Sequence, residues 1–137
     1  MMQKRADLDW ILKDLADGVP QTRHVVVLSA DGLCIAQHGC DTDTADRIAA
    51  ACAGLQSLSA AIALELPRGD GQMRLVVIEM DGGFFYLMAA GTGAYLAVLA
   101  DEGVDAGLMG QRMRDLVARI GEHLSSPPRA TAAGRGT

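Results

Sequence analysis

The spacing of apolar residues along the chain alternates between a helical and an extended period, and the alternation predicts the elements. Leu8, Ile11, Leu12 and Leu15 recur at helical spacing, with Asp7, Asp9, Lys13, Asp14 and Asp17 on the other face. This predicts an amphipathic helix over residues 6–17, closed by Gly18 and Pro20, after a polar start at 1–5 expected to fray. Trp10, the only tryptophan, is expected to cover the edge of the core. Residues 22–29 (TRHVVVLS) are a β-branched run of strand length. A turn at Ala30, Asp31 and Gly32 leads to a second strand at 33–38, so the two make a hairpin.

Residues 41–66 (DTDTADRIAAACAGLQSLSAAIALEL) read as one long helix, because the segment is Ala-rich and no Pro interrupts it before Pro67. Thr42 or Asp43 is expected to cap it, and Asp46 in the first turn suits the helix dipole. Ile48, Cys52, Leu55, Ser59, Ile62 and Leu66 form a stripe expected to lie on the core. The opposite face carries Ala50, Ala53, Ser57, Ala60, Ala61 and Leu64 and has no charge beyond Asp46 at its start. A helix uncharged all round is covered all round. The cover is either the rest of this domain or a second molecule. A membrane span fits poorly, since the uncharged run at 48–64 is short and weakly apolar.

Beyond a loop at 68–71, strands are expected at 73–80, 84–90 and 94–100, separated by tight turns at 81–83 and 91–93. Their near-continuous apolar content suggests a meander covered on both faces. A last helix is expected at 106–124, capped by Asp105, with Met109, Met113, Leu116, Val117, Ile120 and Leu124 as its apolar stripe. The tail from Ser125 is rich in Pro, Gly and Ala and is expected to be disordered. The order α-β-β-α-β-β-β-α makes one α+β domain over 6–124. Its five-stranded antiparallel sheet has the terminal helices on one face and the middle helix on the other.

Composition narrows the function classes. The net charge of −5 and the absence of a basic stripe argue against nucleic-acid binding. Lys4, Arg5, Asp7 and Asp9 interrupt any signal-peptide core, and a cytoplasmic location with reduced thiols is expected. Cys34, Cys40 and Cys52 lack metal-ligand spacing, as do His24, His38 and His123. Cys34 has no activating cation or helix start in the sequence beside it, which leaves thiol catalysis unsupported. Gly69-x-Gly71 and Gly91-x-Gly93 read as turns, not phosphate loops. Glu79 stands alone within an apolar strand, where an outward-facing edge position accounts for it. No acid–base pair emerges, so no enzyme is expected.

The hairpin HVVVLSADGLCIAQHG, the small-residue helix after it and the meander RLVVIEMDGGFFYLMAAGTGAYLAVLAD resemble the roadblock/dynein-light-chain family. The likeness is nearest to its bacterial branch, found beside small Ras-like GTPases in actinobacteria and gliding bacteria, and covers about residues 6–124. The resemblance implies a homodimer in which the middle helix (43–66) packs on its twofold mate and the third strand (73–80) pairs with its mate. On this reading the interface holds Ala50, Ala53, Ser57, Ala61, Leu64, Arg74, Val76 and Ile78. It further implies a non-enzymatic platform or regulator for a small Ras-like GTPase, with no cofactor; some members stimulate GTP hydrolysis. Arg47, Arg68 and Arg74 flank the expected interface without matching a family motif, so none is assigned as an arginine finger. The alternative is a profilin-like module that senses a small molecule in a cleft along one sheet edge.

Overall fold

The computed structural model describes residues 2–91 and 93–125, with side chains described over 8–91 and 93–122. The elements are α1 (Met2–Gly18), β1 (Thr22–Ser29), β2 (Cys34–His38), α2 (Thr42–Ala63), β3 (Leu75–Met80), β4 (Gly83–Ala89), β5 (Ala94–Asp101) and α3 (Ala106–Ser125). This is the expected α+β order. α1 begins at Met2, ahead of the expected residue 6, because nothing between Gln3 and Arg5 breaks a helix. The expected tail at 126–137 lies outside the described residues.

The five strands form one antiparallel sheet in the order β2-β1-β5-β4-β3. Side chains of a strand alternate between faces, and the core divides accordingly. On one face, Val25, Val27, Tyr86, Met88, Leu96 and Val98 meet Leu8, Leu12 and Leu15 of α1 and Met109, Met113 and Ile120 of α3. On the other, Val26, Leu28, Phe85, Leu87 and Ala97 meet Ala45, Ala49 and Cys52 of α2. Each fully buried Leu or Val contributes about 1.5–3 kcal/mol of transfer free energy, so the two clusters hold the sheet from both sides.

Both internal caps are carboxylates. Asp105 Oδ1 accepts from the Leu108 amide at 3.0 Å, as expected. At α2 the cap is Asp41, not Thr42 or Asp43; its Oδ1 accepts from the Thr44 amide at 2.8 Å. Asp41 has extended backbone, ψ 173°, as an N-cap requires, whereas Thr42 is already helical. That contact holds the Asp41 carboxyl below the usual carboxylate range: the Thr44 side chain is the first cause and its amide the second.

Two expectations about cover are overturned. Trp10 does not shield the core; it is exposed on the α1–α3 seam, with the Arg119 guanidinium 5.9 Å from the ring centre. The meander is not covered throughout. α2 lies mainly over β1, β2 and β5, and α3 over β5 and β4, so β3 lies at the margin of both. The edge strand β3 is therefore only part-covered despite its apolar sequence: Val76 and Ile78 are half-buried, and Leu75, Val77 and Met80 are exposed.

Candidate interaction surface

β3 is an edge strand whose outer side no other strand occupies among the described residues. The Arg74 carbonyl accepts from the Ala89 amide at 3.1 Å, which fixes Arg74↔Ala89 as a hydrogen-bonded pair. In an antiparallel ladder, bonded positions alternate, so Val76 and Ile78 also turn their backbone groups to β4. Leu75, Val77 and Glu79 then turn their N–H and C=O groups outward. A bare apolar edge of this kind is a template for pairing with another chain. The side chains divide as well: Val76 and Ile78 are half-buried on the α2 side, while Leu75 and Val77 are 41% and 50% exposed on the other.

α2 sits on the sheet in a different rotation from the one its apolar spacing predicts. Its buried residues are Ala45, Ala49 and Cys52. Of the expected core stripe, Cys52 is buried and Ile48 and Leu55 are half-buried, but Ile62 is 69% exposed and Leu66 is exposed too. The physical reason lies in side-chain size. The β1–β2 turn crosses one flank of the helix so closely that a Cβ on Gly32 (φ 88°) would lie 3.1 Å from the Ala53 Cβ. Only small residues fit there, so Ala49, Ala50 and Ala53 line that flank and the larger side chains turn the other way. Leu55, Leu58 and Ile62 accordingly project from the flank away from the hairpin, toward the β4–β3 side of the sheet. Leu58 is 65% exposed.

The expected interface residues thus fall into three groups. Val76 and Ile78 line the α2 side of β3, and Arg74 stands at its start, 3.4 Å from Asp70. Ala50, Ser57, Ala61 and Leu64 are exposed on α2. Ala53 is half-buried beneath the hairpin turn. The sequence reading passes over Leu58. Its signal was the spacing of Leu55, Leu58 and Ile62 at three and four residues, a second apolar stripe beside the first.

The chemistry at these surfaces is electrostatic and apolar. The Gln72 amide first, and then Arg74, holds the Asp70 carboxyl below its usual range. Arg47 donates to Thr44 Oγ1 at 3.1 Å. The cysteines sit around the α2-side cluster, and burial pushes the Cys52 thiol up to about 12 and also raises Cys40. Neither is poised as a thiolate nucleophile. His24 Nδ1 lies 2.8 Å from the Gly39 carbonyl, a contact within the β1–β2 edge. Among the described residues, no three His, Cys, Asp or Glu side chains converge as a metal site, and no helix is long and apolar enough to cross a membrane.

Comparison with known proteins agrees with this architecture. The Roadblock/LC7 domain family matches residues 8–100. Among solved structures, a Roadblock/LC7 domain from Streptomyces avermitilis is 40% identical, with a TM-score of 0.79, over 85% of this chain and 96% of that one. Gliding protein MglB from Thermus thermophilus shares the fold at 17% identity and TM-score 0.80, over 88% of this chain and 90% of that one. So does an MglB in a tetrameric arrangement, at 16% identity and TM-score 0.80, over 88% and 89% of the two chains. No curated protein matches the sequence. With its eight elements in the family's order and its sequence matched across the sheet and middle helix, the chain belongs to the Roadblock/LC7 domain family.

Proposed function

We propose that the protein is a cytosolic, non-enzymatic homodimer that serves as a scaffold or regulator for a small Ras-like GTPase. The observation that carries the dimer is the bare β3 edge lying on the same side of the molecule as the exposed Leu58–Ile62 flank of α2. Pairing β3 with its mate about Val77 satisfies the outward backbone groups of Leu75, Val77 and Glu79 and continues the sheet across the twofold axis. The same operation brings the Leu58 and Ile62 flanks of the two α2 helices together above the seam. Val76 and Ile78 then become the floor beneath the helix pair, and Arg74 a rim residue.

This arrangement alters the weight of the expected helix residues. Leu58 and Ile62 supply the apolar area, and Ala50, Ser57, Ala61 and the C-cap Leu64 form the outward surface of the helix pair. Family membership supports the GTPase role, since the resemblance implies a platform for such partners. The uncharged outward surface of α2 is the natural place for a partner to rest.

Two measurements separate the parts of the reading. Analytical ultracentrifugation at micromolar concentration should show a dimer; a stable monomer refutes the β3–α2 interface. Native copurification should then recover a small Ras-like GTPase. Its GTP turnover with and without this protein distinguishes a regulator from a passive platform. Failure of every small GTPase of the native cell to bind refutes the assignment.

A further inference from the structure

Glu79 is the single charged residue of β3. Side chains alternate along a strand, so Glu79 shares a face with Leu75 and Val77. That face is the α1–α3 side, because their partners on β4 are Phe84, Met88 and Tyr86, all of which pack in the α1–α3 cluster. Glu79 is exposed and has no hydrogen bond or ion pair among the described residues.

α3 carries three arginines, and two of them meet α1. Arg119 lies 3.5 Å from the Asp14 carboxylate. Arg112 lies against Gly18, where an added Cβ would meet its guanidinium at 2.8 Å. Arg114 lies on the other flank of the helix. With Val117, Leu75, Met88 and Ala89 it lines a cleft of about 390 Å³ between α3 and the start of β3. Arg114 is exposed and, like Glu79, has no hydrogen bond or ion pair among the described residues.

The two unpaired charges are too far apart to meet within one chain. Glu79 stands four residues along β3 from Leu75, about 13 Å at ~3.3 Å per residue. Pairing across the twofold removes that distance. With Val77 opposite its own copy, Leu75 stands opposite Glu79 of the partner subunit. Side chains directly opposed on one face have Cβ atoms about 5 Å apart. The partner subunit's Glu79 therefore arrives beside the cleft that Arg114 lines, and the twofold repeats the contact with the roles exchanged. We infer that Arg114 and Glu79 of the partner subunit form an ion pair at each end of the β3–β3 seam, and that these pairs make the edge selective for a second copy of this chain in that register. The inference rests on the dimer proposed above and adds the groups that choose its partner strand.

Such selectivity is what an apolar edge lacks, since its backbone groups pair in several registers. A slide of two residues sets Glu79 opposite Val77 in one sense and opposite Met73 in the other. Either slide carries the carboxylate about 7 Å from Leu75, at ~3.3 Å per residue. A slide of four in the first sense sets the two Glu79 carboxylates against each other, which is repulsive. Of these registers, the one about Val77 alone brings each carboxylate to a guanidinium.

The test is the association of charge variants, read by sedimentation velocity at low ionic strength. Glu79→Arg sets like charge against Arg114 at both ends of the seam, and Arg114→Glu does the same to Glu79. Each should raise the dimer Kd at least about tenfold, because two attractive contacts become two repulsive ones. An equimolar mixture of the two variants should recover a dimer within about threefold of the wild-type Kd, since the heterodimer has opposite charges at both ends. About 1 M salt should shrink the penalties of the single variants. Both positions are exposed, so circular dichroism should report an unchanged fold. The neutral variants E79Q and R114Q carry the same test without charge reversal: the double variant should lose no more affinity than either single one. A wild-type protein that stays monomeric refutes the dimer and this inference with it. A wild-type dimer that E79R and R114E leave unweakened, or whose two variants do not recover on mixing, overturns this inference alone. Additive losses in E79Q and R114Q overturn it as well.

Discussion

Replacing Leu58 and Ile62 together by Ala should dissociate the protein into folded monomers. Both side chains are mostly exposed, at 65% and 69%, so the folded monomer loses little when they are shortened. Each substitution removes three carbons, about 2.4 kcal/mol of transfer free energy for complete burial at ~0.8 kcal/mol per carbon. The exposed two-thirds corresponds to about 1.6 kcal/mol per side chain that only a partner can recover. A twofold interface contains each position twice, so the double variant costs about 6 kcal/mol of association, or about four decades in Kd. If the mate dries only half of that surface, the loss is about 3 kcal/mol and two decades. Folding stability should change by no more than about 0.5 kcal/mol, as for other exposed sites. Sedimentation velocity over a concentration series reads the first quantity, and urea denaturation of the monomeric variant, compared with dilute wild type, reads the second. A Kd within about threefold of wild type would show that the Leu58–Ile62 flank does not meet the mate.

Val77→Pro should also yield a folded monomer: it deletes an outward amide on β3 without touching the β3–β4 ladder, so loss of the fold would contradict the assigned register. Gly32→Ala should destabilise the domain by about 1–3 kcal/mol, because it places a side chain at φ 88° and 3.1 Å from Ala53; a neutral result in thermal denaturation would disprove the close approach of turn and helix. Asp41→Ala should lower stability at neutral pH and do so less in acid. The folded carboxyl titrates below its unfolded value, so the cap contribution is complete above about pH 4 and disappears as pH falls through the folded value. Urea midpoints of wild type and variant should therefore converge on acidification, and a gap that stays constant refutes the cap. Cys52 should resist a thiol reagent in the native state and react on unfolding, since it is fully buried with its thiol raised to about 12; labelling of Cys52 in native protein, located by peptide mapping, contradicts that burial.

Helix faces and strand order were legible wherever side-chain size agreed with hydrophobicity. Leu8, Leu12 and Leu15, and Met109, Met113 and Ile120, are both the apolar stripe and the buried face. In α2 the two properties part. Ile48, Leu55 and Ile62 are more hydrophobic than Ala45 and Ala49, so periodicity assigns them to the core. The helix approaches the sheet and the Gly32 turn so closely that only Ala and Cys fit beneath it. Packing distance sets the rotation, and hydrophobic spacing in one chain does not encode distance. The same gap explains β3. Its sequence LVVIEM is what a strand covered on both faces would carry, and in the monomer only Val76 and Ile78 are part-covered, while Leu75, Val77 and the outer edge are not. The inference from composition to burial is not thereby wrong; it is incomplete by one molecule. Apolar sequence records every surface that leaves water, whether the chain covers it or a partner does. A strand that reads as buried and folds as exposed is therefore the most direct sign, in a single chain, of where another one belongs.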